Sequence, residues 1–176
     1  MLKREASKTQ QRRLAGISLI ETVLSLLIVG GAFVASLNTI ASARASQAIA
    51  AQQRLGLVLT EDLMEEILTH PYKESSILGL EVGENNNDRK DFDDIDDYHE
   101  WSSSPPTDID GHDLVGAEAY TRSVTVQRVQ LSSPTTTTSS DEGVLRIIVT
   151  VKYGSKEVAK LTAYRSDIYG TSGVRY

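Results

Sequence analysis

The chain has 176 residues, a formal net charge of −6 and no cysteine. That length has room for one domain plus an extension. The negative balance excludes a general affinity for nucleic acid, which needs dense positive charge to neutralise phosphates. Without cysteine there is no disulfide framework, no thiolate metal site and no cysteine nucleophile. Charge is also spread unevenly. Residues 1–16 carry Lys3, Arg4, Lys8, Arg12 and Arg13 against the single acid Glu5, whereas the remainder is strongly acidic. Such asymmetry implies that a short basic leader and the body belong to different compartments.

Residues 17–43 form an apolar run whose one charge is Glu21. The run exceeds the ~20 residues a helix needs to cross about 30 Å of hydrocarbon, and the basic leader holds the N-terminus on the cytoplasmic side. A cleavable secretory signal would place a shorter apolar core before its small-residue cut. Here Ala15 and Gly16 precede the apolar run, so a cut after Gly16 leaves the greasy segment on the mature chain. The competing expectation is an uncut signal anchor holding a folded domain at the membrane. A carboxylate at the centre of a membrane helix costs on the order of 2.5–3.5 kcal/mol. Glu21 therefore calls for a partner. Cutting after Gly16 creates an ammonium on Ile17, one helical turn from Glu21. Between helices staggered along an axis, one chain's carboxylate can meet the next chain's amine and mark register.

At these residues the sequence resembles the type IV prepilins and type II secretion pseudopilins. Their processing motif is a basic leader, a glycine, a hydrophobic residue that becomes the new N-terminus, then T-L-I-E opening a long apolar helix. This chain has Gly16, Ile17, Ser18-Leu19-Ile20-Glu21 and then Thr22. It departs in carrying Ile17 where phenylalanine is usual and Ser18 where threonine is usual. The resemblance implies an α+β pilin-like fold, with a long N-terminal helix on a small antiparallel sheet. It also implies cutting after Gly16 and N-methylation of Ile17 by a prepilin peptidase/N-methyltransferase. The partners implied are other pilin or pseudopilin subunits, an inner-membrane assembly platform and the membrane itself, with no nucleic acid. The chain would sit in the inner (cytoplasmic) membrane as a single-pass protein before entering a filament.

Residues 44–70 continue the helix. They are rich in Ala, Leu, Gln and Glu, all strong helix formers. Leu55, Leu59, Leu63 and Ile67, flanked by Val58 and Leu68, make an apolar stripe at helical spacing. His70-Pro71 ends it, because the residue before proline is pushed out of the helical region. A helix from Ile17 to about Thr69 would run ~80 Å. Gly30-Gly31 in its first half allows either close helix contact or local unwinding during assembly.

Residues 71–119 are expected to be an acidic irregular region. Asp91, Asp93, Asp94, Asp96 and Asp97 crowd around Phe92, Tyr98 and Trp101. Oxygen ligands on a loop suit calcium, yet the spacing lacks the glycine and closing glutamate of an EF-hand. Asp108-Ile109-Asp110-Gly111-His112-Asp113 completes no such template either. The alternative is a solvated acidic loop pinned to the sheet by its aromatics. Residues 120–169 follow as an antiparallel sheet. Strands are expected at residues 120–130, 144–153 and 157–164, where apolar and polar residues alternate with many β-branched types. Gly154-Ser155 suits a tight hairpin, and residues 131–143 an exposed loop. Ile147, Val149 and Val151 are the expected inner face, covering the helix stripe. Residues 170–176 form a tail. The wording DFDDIDDYHEWSSSPP, with YTRSVTV and LTAYRSD, resembles minor pilins of the mannose-sensitive haemagglutinin type.

No phosphate loop, nucleophile elbow or paired histidine motif occurs, and His70, His99 and His112 stand apart in sequence. The expectation is a non-enzyme with no resident cofactor, calcium excepted. Two functions follow. One is a minor pilin or pseudopilin, a structural subunit of a type IV pilus or type II secretion filament. The other is a membrane-anchored or filament-borne binding module using the acidic loop for adhesion or calcium.

Overall fold

The computed structural model of the chain describes Gly16, residues 18–72 and residues 88–167. The leader before Gly16, Ile17 and the tail 170–176 lie outside the described residues. Two compact units divide the chain, residues 1–47 and 48–176.

Helix α1, Leu19–Thr69, runs 51 residues. Nothing in its sequence interrupts it: there is no proline, and Gly30 and Gly31 sit in unbroken helix. The Ser18 carbonyl takes the first helical hydrogen bonds, from the amides of Glu21 and Thr22 at 3.0 and 3.1 Å. At the other end Pro71 forbids continuation. The last turn has no basic residue of its own. Arg165, from the final strand, donates there to the Leu68 carbonyl at 3.4 Å, placing a cation at the negative end of the helix dipole.

Within the second unit α1 buries Gly56, Leu59, Thr60, Leu63, Met64 and Ile67, with Leu55 and Leu68 partly buried beside them. The expected stripe is present, with one correction: Val58 is 58% exposed. The face that packs is rotated toward Gly56, Thr60 and Met64. Gly56 is there because Val158 comes so close that a Cβ on residue 56 would lie 2.7 Å from its Cγ2. Buried Thr60 satisfies its hydroxyl on the Gly56 carbonyl at 2.7 Å.

The sheet comprises β1 (Ser102–Ser103), β2 (Tyr120–Gln130), β3 (Ser133–Thr137), β4 (Val144–Tyr153) and β5 (Lys156–Ser166). Its order is β1-β2-β4-β5, with β3 also paired to β2. All pairings are antiparallel. Gly154, at φ +57, turns β4 into β5, a conformation open to glycine at little steric cost. Alternation sends Val124, Val126, Ile147, Val149 and Val151 to one face, where each is buried against α1 and the loop aromatics. At roughly 1.5–3 kcal/mol per buried aliphatic side chain, this layer is the main force holding α1's second half to the sheet. The result is an α+β layout: one long N-terminal helix packed on a small antiparallel sheet.

Two expectations need amending. Residues 131–143 are not all loop, since β3 folds back on the end of β2 with Val129 opposite Thr137. The β-branched run Thr135–Thr137 supplies the strand preference, and Pro134 is tolerated because β3 lies at an edge. Residues 88–119 are also more ordered than an irregular loop implies. They contain single 3-10 turns at Arg89–Asp91 and Asp96–Tyr98, plus β1 hydrogen-bonded to β2.

Candidate functional site

The described part of the first unit is a helix without a protein partner of its own. Every described residue from Ser18 to Gln47 is exposed, including Leu19, Ile20, Leu26, Leu27, Ile28 and Phe33. By length and composition α1 is able to cross a membrane. Its hydroxyls suit apolar surroundings: Ser36, Thr39 and Ser42 each donate to the carbonyl four residues back, at 2.8–3.0 Å. They thereby satisfy themselves inside the helix. Gly16 is exposed and Glu21 lies in the first turn of α1. The helix starts only two residues before Glu21, so the carboxylate sits at the beginning of the apolar run and not in its middle. The first turn is where the helix dipole favours an acid, and Ser18-x-x-Glu21 has capping-box spacing. Glu21, Thr22, Ser25, Leu26 and Val29 line a shallow groove along one side. The Glu21 carboxylate has no hydrogen-bond or ion-pair partner among the described residues.

In the second unit the acidic segment divides by burial. Asp91 and Asp93 are exposed, whereas Asp94, Asp96 and Asp97 are buried. The solvated-loop expectation fails for these three, and the reason is local. Asp97 accepts from the amides of Asp93 and Asp94 at 3.0 and 3.1 Å. Asp94 accepts from those of Asp96 and Asp97 at 2.8 and 3.3 Å. The carboxylates hold the turn together. Phe92, Tyr98 and Trp101 anchor the segment in the core as expected, Phe92 edge-on to Tyr98 at 4.9 Å. Carboxylate oxygens of Asp93, Asp94 and Asp97 lie within 4.8 Å of one another, as do ligand atoms of Asp108, Asp110 and His112. Asp91 and Asp96 join neither group. The histidines remain separate. His70 stands beside Tyr98, His99 accepts from the Val126 amide, and His112 pairs with Asp108.

Beneath the acidic segment lies a cluster that sequence reasoning missed. Arg89 and Arg122 are 3% and 0% exposed and both approach the Trp101 ring, their guanidinium carbons 4.8 and 6.0 Å from its centre. Both donate to the Thr107 carbonyl, Arg89 at 2.8 Å. Arg89 pairs with Glu66 at 3.1 Å and Arg122 with Asp62 at 3.2 Å. The hydroxyl of Tyr98 donates to the other Glu66 oxygen at 2.9 Å. Two signals were available. Arg122 occupies an inward position in the alternation with Val124 and Val126. Asp62 and Glu66 are spaced i, i+4 beside the apolar stripe, on one helix face. Burial, and then the neighbouring Arg89, hold the Arg122 pKa below its ordinary value, with Asp62 opposing.

Burial and the Glu66 carboxylate push the Tyr98 phenol well above its ordinary value of 10.0. Burial and Asp141 do the same to Tyr72. A phenol whose folded pKa is raised contributes stability that is fully present below the unfolded pKa and lost as pH rises beyond it. Unfolding free energy should therefore hold steady through neutral pH and fall above pH ~10. Tyr98→Phe should flatten that fall in urea titrations between pH 9 and 11. An undiminished slope would contradict the assignment.

Compared with protein-family models, curated proteins and solved structures, the chain matches none.

Proposed function

We propose that the chain is a minor pilin or pseudopilin, a structural subunit of a type IV pilus or type II secretion filament. It is cut after Gly16, N-methylated on Ile17 and assembled by packing of its N-terminal helix. The observation that carries this reading is the fully exposed apolar first half of α1, with the unpartnered Glu21 at its very start. Such a surface needs lipid, other helices, or each in turn. In a bundle of like helices, a carboxylate in the first turn lies where a neighbour's new terminal amine would be. The pairing offsets desolvation of both charges and fixes the stagger. Before assembly the chain spans the inner membrane once, its C-terminal domain on the far side from the cytoplasm. Partners are then other subunits, the prepilin peptidase/N-methyltransferase and the assembly platform, and the chain itself performs no catalysis.

Mass spectrometry of the protein purified from its native membrane tests this. A mature chain beginning at methylated Ile17 is expected. A chain still beginning at Met1 would leave only a membrane anchor. The second reading, a binding module using the acidic loop for adhesion or calcium, draws on the Asp93, Asp94 and Asp97 grouping. It is weaker, because Asp94 and Asp97 already accept backbone hydrogen bonds. A melting temperature indifferent to chelator would dismiss the calcium part.

A further inference from the structure

The Arg89–Arg122 cluster holds more positive charge, and more hydrogen-bond donors, than the chain around it matches. A guanidinium carries five N–H groups. Arg89 donates from Nη1 to Glu66 and from Nη2 to the Thr107 carbonyl. Arg122 donates likewise to Asp62 and to the same carbonyl. The Nε of each arginine is buried and has no hydrogen-bond partner, and neither residue is more than 3% exposed. A buried donor left unpaired costs stability, and most on a charged group. Sharing one carbonyl also draws two like charges together. Their countercharges are unequal. Glu66 is 21% exposed, whereas Asp62, the carboxylate that pairs with Arg122, is 65% exposed. A fully buried cation is thus balanced by an acid that stands largely in water.

We propose that this arginine pair is a binding site for a small monovalent inorganic anion of chloride's size. Water would satisfy the idle Nε–H donors but brings no charge. A halide answers both needs, because hydrogen bonds from an ionised donor to an ionised acceptor are the strong ones. Valence follows from the countercharges. Glu66 matches one of the two cations and Asp62 only partly matches the other, so the buried excess is about one charge or less. A monovalent ion fits that excess and a sulfate overshoots it. With both side chains this buried, the ligand is a bare ion and not a larger molecule. Asp62 is then the counterion at the rim that the anion competes with. The bound ion ties Arg89, at the start of the acidic segment, to Arg122 on β2. The site depends neither on Glu21 nor on the filament reading.

Trp101 supplies the readout, since it is the only tryptophan, is 3% exposed and has the two guanidinium carbons 4.8 and 6.0 Å from its ring centre. Bromide quenches indole fluorescence on contact, and an ion in free solution does not reach so buried a ring. The full chain in non-ionic detergent is titrated with bromide replacing gluconate, at a constant ionic strength of about 0.3 M so that screening is fixed. The expected result is quenching that saturates and that chloride reverses by competition. Caesium, a cationic quencher, should not produce it. The melting temperature should rise with chloride along a saturating curve, as for any ligand of the folded state. Asp62→Asn keeps an acceptor for Nη1 and removes the competing charge, so half-saturation should move to about fivefold lower halide. Arg122→Leu should abolish saturable quenching, and Asp62→Asn, at an exposed position, decides the matter if that variant does not fold. Linear or absent bromide quenching would overturn the proposal. So would a melting temperature indifferent to chloride, or an Asp62→Asn half-saturation no lower than that of the wild type.

Discussion

Glu66→Ala lowers the stability of the C-terminal unit by about 3–5 kcal/mol, the range for removing one partner of a buried ion pair. Arg89, 3% exposed, would keep its charge and lose its carboxylate. Tyr98 would lose its acceptor in the same step. Glu66 is 21% exposed, so water reaches too little of the site to take its place. The neighbouring pair makes an internal contrast. Asp62 is 65% exposed, and water can partly replace it, so Asp62→Ala should cost closer to 1 kcal/mol. Arg89→Met added to Glu66→Ala should recover part of the loss, because no buried charge is then left unmatched. Trp101, the only tryptophan, lies against both arginines and reports the transition by fluorescence in denaturant titrations. A Glu66→Ala loss under 1 kcal/mol, or one no larger than that of Asp62→Ala, would show that the cluster does not hold the acidic segment down.

On the proposed reading of the chain as a filament subunit, Glu21→Ala and Glu21→Gln should both insert normally into the membrane and both fail to enter filaments. Insertion is spared because removing a carboxylate from an apolar helix only favours the bilayer. Assembly should be lost because, under the proposed pairing, the neighbour's terminal amine would be left without its countercharge. At about 3–5 kcal/mol for an unmatched buried charge, incorporation falls on the order of a hundredfold or more. The glutamine variant separates two roles for this residue. Glutamine serves a capping box as glutamate does, so a purely local role at the start of α1 would let Glu21→Gln assemble. Pairing with an amine would not. The measurement is the ratio of filament-borne to membrane-borne chain after shearing, beside a processing check on Gly16. Normal incorporation of Glu21→Gln would reduce Glu21 to a helix cap and remove the register mechanism.

What sequence alone determined here is what local physics controls. The proline-free run of helix formers defined α1, and Pro71 stopped it at Thr69. Period-two alternation with β-branched residues placed β2 and β4 at their observed bounds and β5 nearly so. Gly154 marked the hairpin, and Phe92, Tyr98 and Trp101 identified themselves as anchors by size and apolarity. Each of these depends on neighbours within a few residues, so the information is contiguous. Tertiary structure decided the remainder. It turned the packed face of α1 from Val58 toward Thr60 and Met64, because the position of β5 fixes which flank of the stripe is covered. It made Gly56 necessary, since only the approach of Val158 leaves no room for a side chain. It drew Asp94 and Asp97 into the core as acceptors for their own turn, where composition alone read solvent. It brought Arg89 and Arg122, distant in sequence, to one ring and one carbonyl. A charged residue enters a core only if its countercharges arrive from elsewhere in the chain, and Asp62 and Glu66 come from a helix that ends many residues earlier. No window of sequence short enough to read by pattern contains both halves of that exchange.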